Sequence, residues 1–103
     1  MDEIWKTIIK YPDYQISDFG RIKSFRKTKK GRILKPYKDS EGYYKIDLFN
    51  EFEGKSKKIH ILLYETFNKE IMDIDEIIHH IDGNKENNSL ENFRKMIKSE
   101  HHS

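Results

Sequence analysis

The sequence predicts an α+β fold: a small antiparallel β-sheet with one packed helix, followed by a shorter motif of two strands, a polar loop and a helix start. Three observations carry this. Residues 43–49 alternate, with Tyr44, Ile46 and Leu48 on one face, the period of a half-buried strand. Ile59, Leu62, Leu63 and Phe67 then fall at i, i+3, i+4 and i+8, the stripe of one amphipathic helix. Beyond it, residues 77–81 and 93–97 flank a turn-rich polar stretch, as the arms of a hairpin would.

Taken in order, residues 14–25 read as two short strands, 14–17 and 21–25, around the turn Asp18-Phe19-Gly20. Residues 26–31 are basic and end in Gly31, which predicts a loop or hairpin tip. Residues 32–35 are a further short strand. Pro36 keeps it from being a central one, because proline has no N–H to give a ladder. Glu41-Gly42 turns the chain into the alternating strand, Glu53-Gly54 turns it again, and residues 57–59 are basic and strand-like. The helix then supplies a second layer against the sheet. Residues 69–76 are acidic and make a connector, and Asp82-Gly83-Asn84 opens a polar loop that runs through Ser89. Ser99 can cap a helix that starts as the sequence ends. Two modules result, residues 1–68 and residues 69–103.

A chain of 103 residues allows one compact domain, or two small modules sharing a core. Charged residues at 37% lean toward disorder, while 13% aromatics and regularly placed Ile and Leu argue for a folded, lightly cored chain. The longest apolar run, Ile61-Leu62-Leu63-Tyr64, is far too short to span a bilayer, and no signal peptide opens the chain, so no membrane partner is expected. Cysteine is absent, which excludes disulfides and thiolate zinc sites and makes a reducing, cytoplasmic compartment the expectation. The net charge of +2 says little, but its distribution says more: residues 1–60 carry +6 and residues 61–103 carry −4. From position 21 to 38 there are nine basic residues and no acidic one: Arg21, Lys23, Arg26, Lys27, Lys29, Lys30, Arg32, Lys35 and Lys38. Such a run is either an electrostatic footprint for phosphate backbones or a solvated loop.

The local chemistry sits in His79, His80, Asn92 and His101. Phosphodiester hydrolysis needs a divalent cation on the phosphate oxygens and a base of near-neutral pKa to activate water, and imidazole serves both purposes. Adjacent residues of a strand point to opposite faces. A site using both His79 and His80 must therefore twist the strand, or share metal and substrate between its two sides. On spacing alone, a metal site and two unremarkable histidines with a frayed polar tail both stand.

The stretch HHIDGNKENNSLENFRKMIKSEH resembles the catalytic motif of phage- and intron-encoded HNH homing endonucleases, the ββα-metal class. Matched residue by residue, the resemblance puts His79 at the first metal-ligand position and His80 at the general base. It puts Asn92 at the central asparagine that tethers the loop backbone and steadies the base, and His101 at the second metal ligand. A second resemblance covers residues 3–67. Trp5, Tyr11-Pro12, Tyr14, Ile16-Ser17, Gly20-Arg21, Ser24, Ile33-Leu34-Lys35-Pro36, Gly42-Tyr43, His60, Leu62-Leu63 and Phe67 are similar to the nuclease-associated modular domain that precedes HNH motifs. In that family it is a small antiparallel sheet that lies along DNA.

Three departures matter. Ile61 follows His60 where the family usually has Arg, so one phosphate contact is missing. Histidine stands at both ligand positions, where intron-encoded relatives carry Asp and Asn; this resembles bacterial nuclease toxins and softens the site toward Zn²⁺, Ni²⁺ or Mn²⁺. The sequence runs only two residues past His101, so the α element would hold just its first turn, which is marginal alone. Metal or a partner would then order it, or the chain is a trimmed or decayed version.

The resemblance implies a metal-dependent endonuclease that hydrolyses phosphodiester bonds of double-stranded DNA, phage or mobile-element encoded. It implies one divalent ion, Mg²⁺ or Mn²⁺ in first place, with Ni²⁺ or Zn²⁺ also admitted. Catalysis falls to His80 and Asn92, metal binding to His79 and His101, and DNA binding to Arg21, Lys23, Arg26, Lys27, Lys29, Lys30, Arg32 and Arg94. A monomer would nick and a homodimer would cut both strands. The alternatives are a non-catalytic DNA-binding module and a phage packaging accessory protein with a degenerate HNH site. Asp82 reads as a turn residue rather than a third ligand, and Asn87 and Asn88 read as loop hydrogen-bonders. His102 substitutes for His101 if the helix register differs by one. His60 reads as a buried, hydrogen-bonded histidine at the helix start, and Trp5 and Phe67 as core.

Overall fold

A computed structural model describes residues 2–98. Ser99, His101 and His102, for which a helix cap and metal ligands are expected, lie outside the described residues. Strands β1 (Trp5–Ile8), β2 (Tyr11–Ser17), β3 (Ile22–Ser24) and β4 (Arg32–Leu34) form an antiparallel sheet in chain order. Strands β5 (Tyr37–Lys38), β6 (Tyr44–Phe49) and β7 (Gly54–Lys58) form a second sheet. Helix α1 (Ile59–Asn68) follows β7 directly, and β8 (Glu76–His80) pairs antiparallel with β9 (Phe93–Ile97). The fold is α+β as expected, with its strands divided among three small sheets. Pro36 stands where the first sheet stops and the second begins, at a position that has no N–H to extend a ladder.

The alternating residues Tyr14, Ile16, Ile22, Ile46 and Leu48 turn inward and meet Ile59, Leu62 and Leu63 of α1 in one core, which also takes in Ile8 and Tyr11. Ile16, Leu48 and Leu63 are wholly enclosed, each worth roughly 1.5–3 kcal/mol of burial. The helix touches β1, β2, β6, β7 and β8, so it joins all three sheets rather than backing one. Lys58, at the cap position just before its first residue, offers no side-chain cap, and the helix ends at Lys69, whose left-handed backbone (φ 53°) lets its N–H reach the Glu65 carbonyl. Strand β1 is the element the sequence conceals: Lys6 and Thr7 break its apolar pattern, and it is recruited by pairing with β2 through a register shift between Thr7 and Ile8. Among the described residues no helix is long and apolar enough to cross a membrane.

The β8–β9 hairpin is fastened to the rest at several points. Leu90 N–H donates to the Asp18 carbonyl at 3.0 Å, across from the β2–β3 turn. Lys85 Nζ donates to the Glu41 carbonyl at 2.9 Å. Glu86 accepts from the Tyr44 hydroxyl at 3.2 Å and pairs with Lys38 at 3.2 Å. The acidic connector is tied down by Lys95 of β9, which bridges Glu70 and Glu76 and is held firmly protonated by both carboxylates.

Candidate active site

A cleft of 530 Å³ runs along β8, and all five of its residues line it, together with Tyr43, Lys58, His60 and Lys85. Among the described residues β8 pairs only with β9, so its other edge carries no strand there. Seen edge-on, a strand presents both faces to one space. That is how His79 and His80 reach the same cleft from one strand edge, although of the two only His80, like Ile78, is buried on the core face.

The ring of His80 is enclosed by Phe93, edge-on at 5.4 Å, by His60 at 4.9 Å and by Tyr43 at 5.9 Å. Its Nε2 lies 2.9 Å from Asn88 Oδ1. An amide oxygen only accepts, so Nε2 carries the proton and Nδ1 the lone pair. Among the described residues Nδ1 has no hydrogen-bond partner, yet it is not sealed from solvent. One nitrogen is fixed and the other is open to accept.

His60 makes the opposite arrangement. It stacks on Tyr43 at 4.9 Å and is buried, but its Nδ1 is sealed with no partner among the described residues, so the expected hydrogen bond at the helix start is not found at that nitrogen. Burial first, then the nearby charges of His80 and Lys58, push its pKa down to about 3. At neutral pH it is an uncharged wall beside His80.

The loop between β8 and β9 is built from side-chain amides. Asn92 Nδ2 donates to Asp82 Oδ1 at 2.9 Å and to the Asn87 carbonyl at 3.0 Å, while its Oδ1 accepts from Asp82 N–H at 3.1 Å. Asp82 also accepts from Asn87 Nδ2 and Asn84 N–H, and the amide bond from Asn87 is the main reason its carboxyl is held below the ordinary range. Asp82 is thus a turn residue with its oxygens committed, as the sequence suggests. Asn92 tethers the loop, but the side chain that touches His80 is Asn88. Sequence spacing does not reveal this pairing, because the loop's path decides which amide turns inward.

Among the described residues no group of three or more His, Asp or Glu is placed to hold a metal ion. His79 lines the cleft, and an imidazole there suits an ion that keeps its remaining positions for water and phosphate oxygens. Arg94, exposed on β9, stands directly opposite His79 in the register.

A family model described as an HNH endonuclease matches residues 57–103, and one described as the NUMOD4 motif matches residues 3–49. The DNA endonuclease I-HmuI of Bacillus phage SP01 is 36% identical over 91 residues, 87% of this chain and 50% of its own length. The H-N-H endonuclease F-TflII of Escherichia phage T5 is 33% identical over 101 residues, 96% of this chain and 50% of its own. A solved structure reported as DNA binding and cleavage by the HNH homing endonuclease I-HmuI superposes with a TM-score of 0.77 at 33% identity, over 93% of this chain and 53% of that one. Residues 57–103 of this chain belong to the HNH endonuclease family. The chain spans about half the length of these relatives.

In this HNH chain the basic residues of positions 21–32 do not form one uniform patch. Arg21 is held by Glu3, with Nε donating to Oε2 at 2.9 Å, and packs 5.6 Å over the Trp5 ring. That hydrogen bond is the first reason the Glu3 carboxyl is lowered to about 2. Lys23 lies 4.2 Å over the same Trp5 ring, and Arg26 pairs with Asp13 at 3.2 Å. Lys27, Lys29, Lys30 and Arg32 are exposed on the β3–β4 connection and the start of β4. Two cations that share the cleft with the histidines lie outside the basic run. Lys58 and Lys85 each stand 4.7 Å from the Tyr43 ring centroid, lining the cleft.

Proposed function

We propose that this HNH chain is a metal-dependent endonuclease acting on duplex DNA, with residues 1–68 docking the duplex and residues 69–103 cutting it. The observation that carries the reading is His80: Nε2 is committed to Asn88 and Nδ1 is left open in the cleft that His79 also lines. In this account His80 Nδ1 takes a proton from water as general base. The water oxygen bonds to phosphorus, the P–O3′ bond breaks, and the leaving 3′ oxygen takes a proton from solvent, so that the products are a 5′-phosphate and a 3′-hydroxyl. His79 and His101 would hold one divalent ion, which supplies charge neutralisation on the phosphate and the leaving oxygen when bound. Mg²⁺ or Mn²⁺ is the first expectation, and the two imidazoles also admit Ni²⁺ or Zn²⁺.

Arg94, across the hairpin from His79, holds a neighbouring phosphate, and Asn92 acts through the loop it ties. Lys27, Lys29, Lys30 and Arg32, with Arg21, Lys23 and Arg26 behind their ion-pair and aromatic partners, contact the backbone, positioning the duplex without reading its sequence. A phage-infected bacterial cytoplasm is the setting this reading expects.

The test is conversion of supercoiled plasmid in EDTA and in Mg²⁺, Mn²⁺, Ni²⁺ or Zn²⁺. Nicking with an ion and none in EDTA is the expected result. DNA binding without cleavage in any of the ions would leave a binding module in its place.

A further inference from the structure

We propose that Asn88 is a positioning residue for His80, fixing the orientation and tautomer of its ring, and that the β2–β3 turn of the first module braces Asn88 from behind. The proposal rests on the reading of His80 as the base. Asn88 belongs to the polar loop yet is only 9% exposed, while Asp82, Asn84 and Glu86 around it are exposed. Burying an amide without a partner is costly, so its side chain sits there because it has one, His80 Nε2 at 2.9 Å. With Nε2–H spent on Asn88 Oδ1, turning the ring over would break that bond, and the lone pair is left on Nδ1 of a ring that lines the cleft.

The brace is equally specific. Gly20 sits at φ +84°, and a Cβ there would lie 2.6 Å from the Asn88 carbonyl oxygen and 3.0 Å from its Cβ. Two residues earlier, the Asp18 carbonyl accepts Leu90 N–H at 3.0 Å. The β2–β3 turn of the DNA-docking sheet therefore touches the chain on both sides of Ser89. Asn92, in contrast, bonds to Asp82 and Asn87 and reaches His80 only through the loop. The two asparagines divide the work: one shapes the loop, the other aims the base.

The experiment is nuclear magnetic resonance of the metal-free, DNA-free protein, followed by kinetics. Wild type should show a slowly exchanging His80 ring proton on Nε2. Asn88→Ala should lose that proton while its melting midpoint and sheet amide pattern stay close to wild type, and Asn88→Asp, which keeps an acceptor, should retain it. Gly20→Ala should weaken the same resonance; an unchanged resonance there removes the turn from the account. In cleavage, Asn88→Ala should lower kcat by about 10- to 100-fold at unchanged KM, with Asn88→Asp recovering part of it. A ring proton on Nδ1 in wild type, or Asn88→Ala cutting at the wild-type rate, would overturn the proposal. Because the spectroscopic arm needs neither metal nor DNA, a protein that fails to cleave at all would refute the nuclease reading while leaving the hydrogen bond measurable.

Discussion

The β1–β4 sheet and the β8–β9 hairpin are of similar strand length, but different forces hold them. The sheet is a layer of apolar side chains, with Ile16 and Ile22 wholly enclosed and meeting α1. The hairpin buries Ile78 and His80, and its loop is shaped by Asp82, Asn87 and Asn92 bonding to one another. Apolar packing is non-directional and tolerates small shifts. An amide network is directional, and it fixes where an imidazole nitrogen points. The sheet thus supplies stability, and the hairpin converts that stability into the placement of His79 and His80.

The largest separation of the two regions should come from core truncation. Leu63→Ala, at a fully buried position of α1, should cost about 2–5 kcal/mol of unfolding free energy in chemical denaturation. Asn92→Ala removes the donor and acceptor that tie Asp82 and Asn87, and should cost roughly 1–3 kcal/mol while lowering the cleavage rate disproportionately. Equal stability losses with equal activity losses would erase the contrast between the regions.

A third probe separates the two histidines. His60 is held neutral with a pKa of about 3, against about 6.5 in the unfolded chain. Below pH 6.5 the unfolded chain binds a proton that the folded one refuses, so stability from this residue is intact above 6.5 and declines as pH falls toward 3. The decline is at most about 1.4 kcal/mol per pH unit. Denaturation of wild type and His60→Phe at pH 7, 6 and 5 should give curves that converge or cross as pH falls, whereas parallel curves would mean His60 titrates normally.

The smallest effects belong to the surface. Lys29→Ala or Lys30→Ala should each reduce the salt dependence of DNA binding by about one phosphate contact. Arg21→Ala should do less, because Arg21 is already engaged by Glu3.

Much of this was legible wherever one physical period dominates. The alternation of Tyr44, Ile46 and Leu48 marks β6, and the spacing of Ile59, Leu62 and Leu63 marks α1. Strand β9 coincides with the expected residues 93–97. Strand β1 was hidden because its polar residues make sense only once β2 is beside it. At the site, His79, His80 and Asn92 stand out by resemblance to a motif, and the edge-on cleft removes the difficulty of adjacent strand residues facing apart. Asn88 reads as one more loop asparagine until its path places it on His80. Lys58 and Tyr43 are invisible from the motif because a different sheet and loop deliver them to the cleft, whereas Lys85 lies within the motif and reads there as one more loop cation.

The most direct test of the account is single-turnover cleavage of saturating duplex DNA by His80→Ala beside wild type, with DNA affinity measured separately in EDTA. The account predicts a rate lower by about 10²-fold or more at unchanged affinity. Cleavage by His80→Ala at the wild-type rate would contradict it and put the base elsewhere.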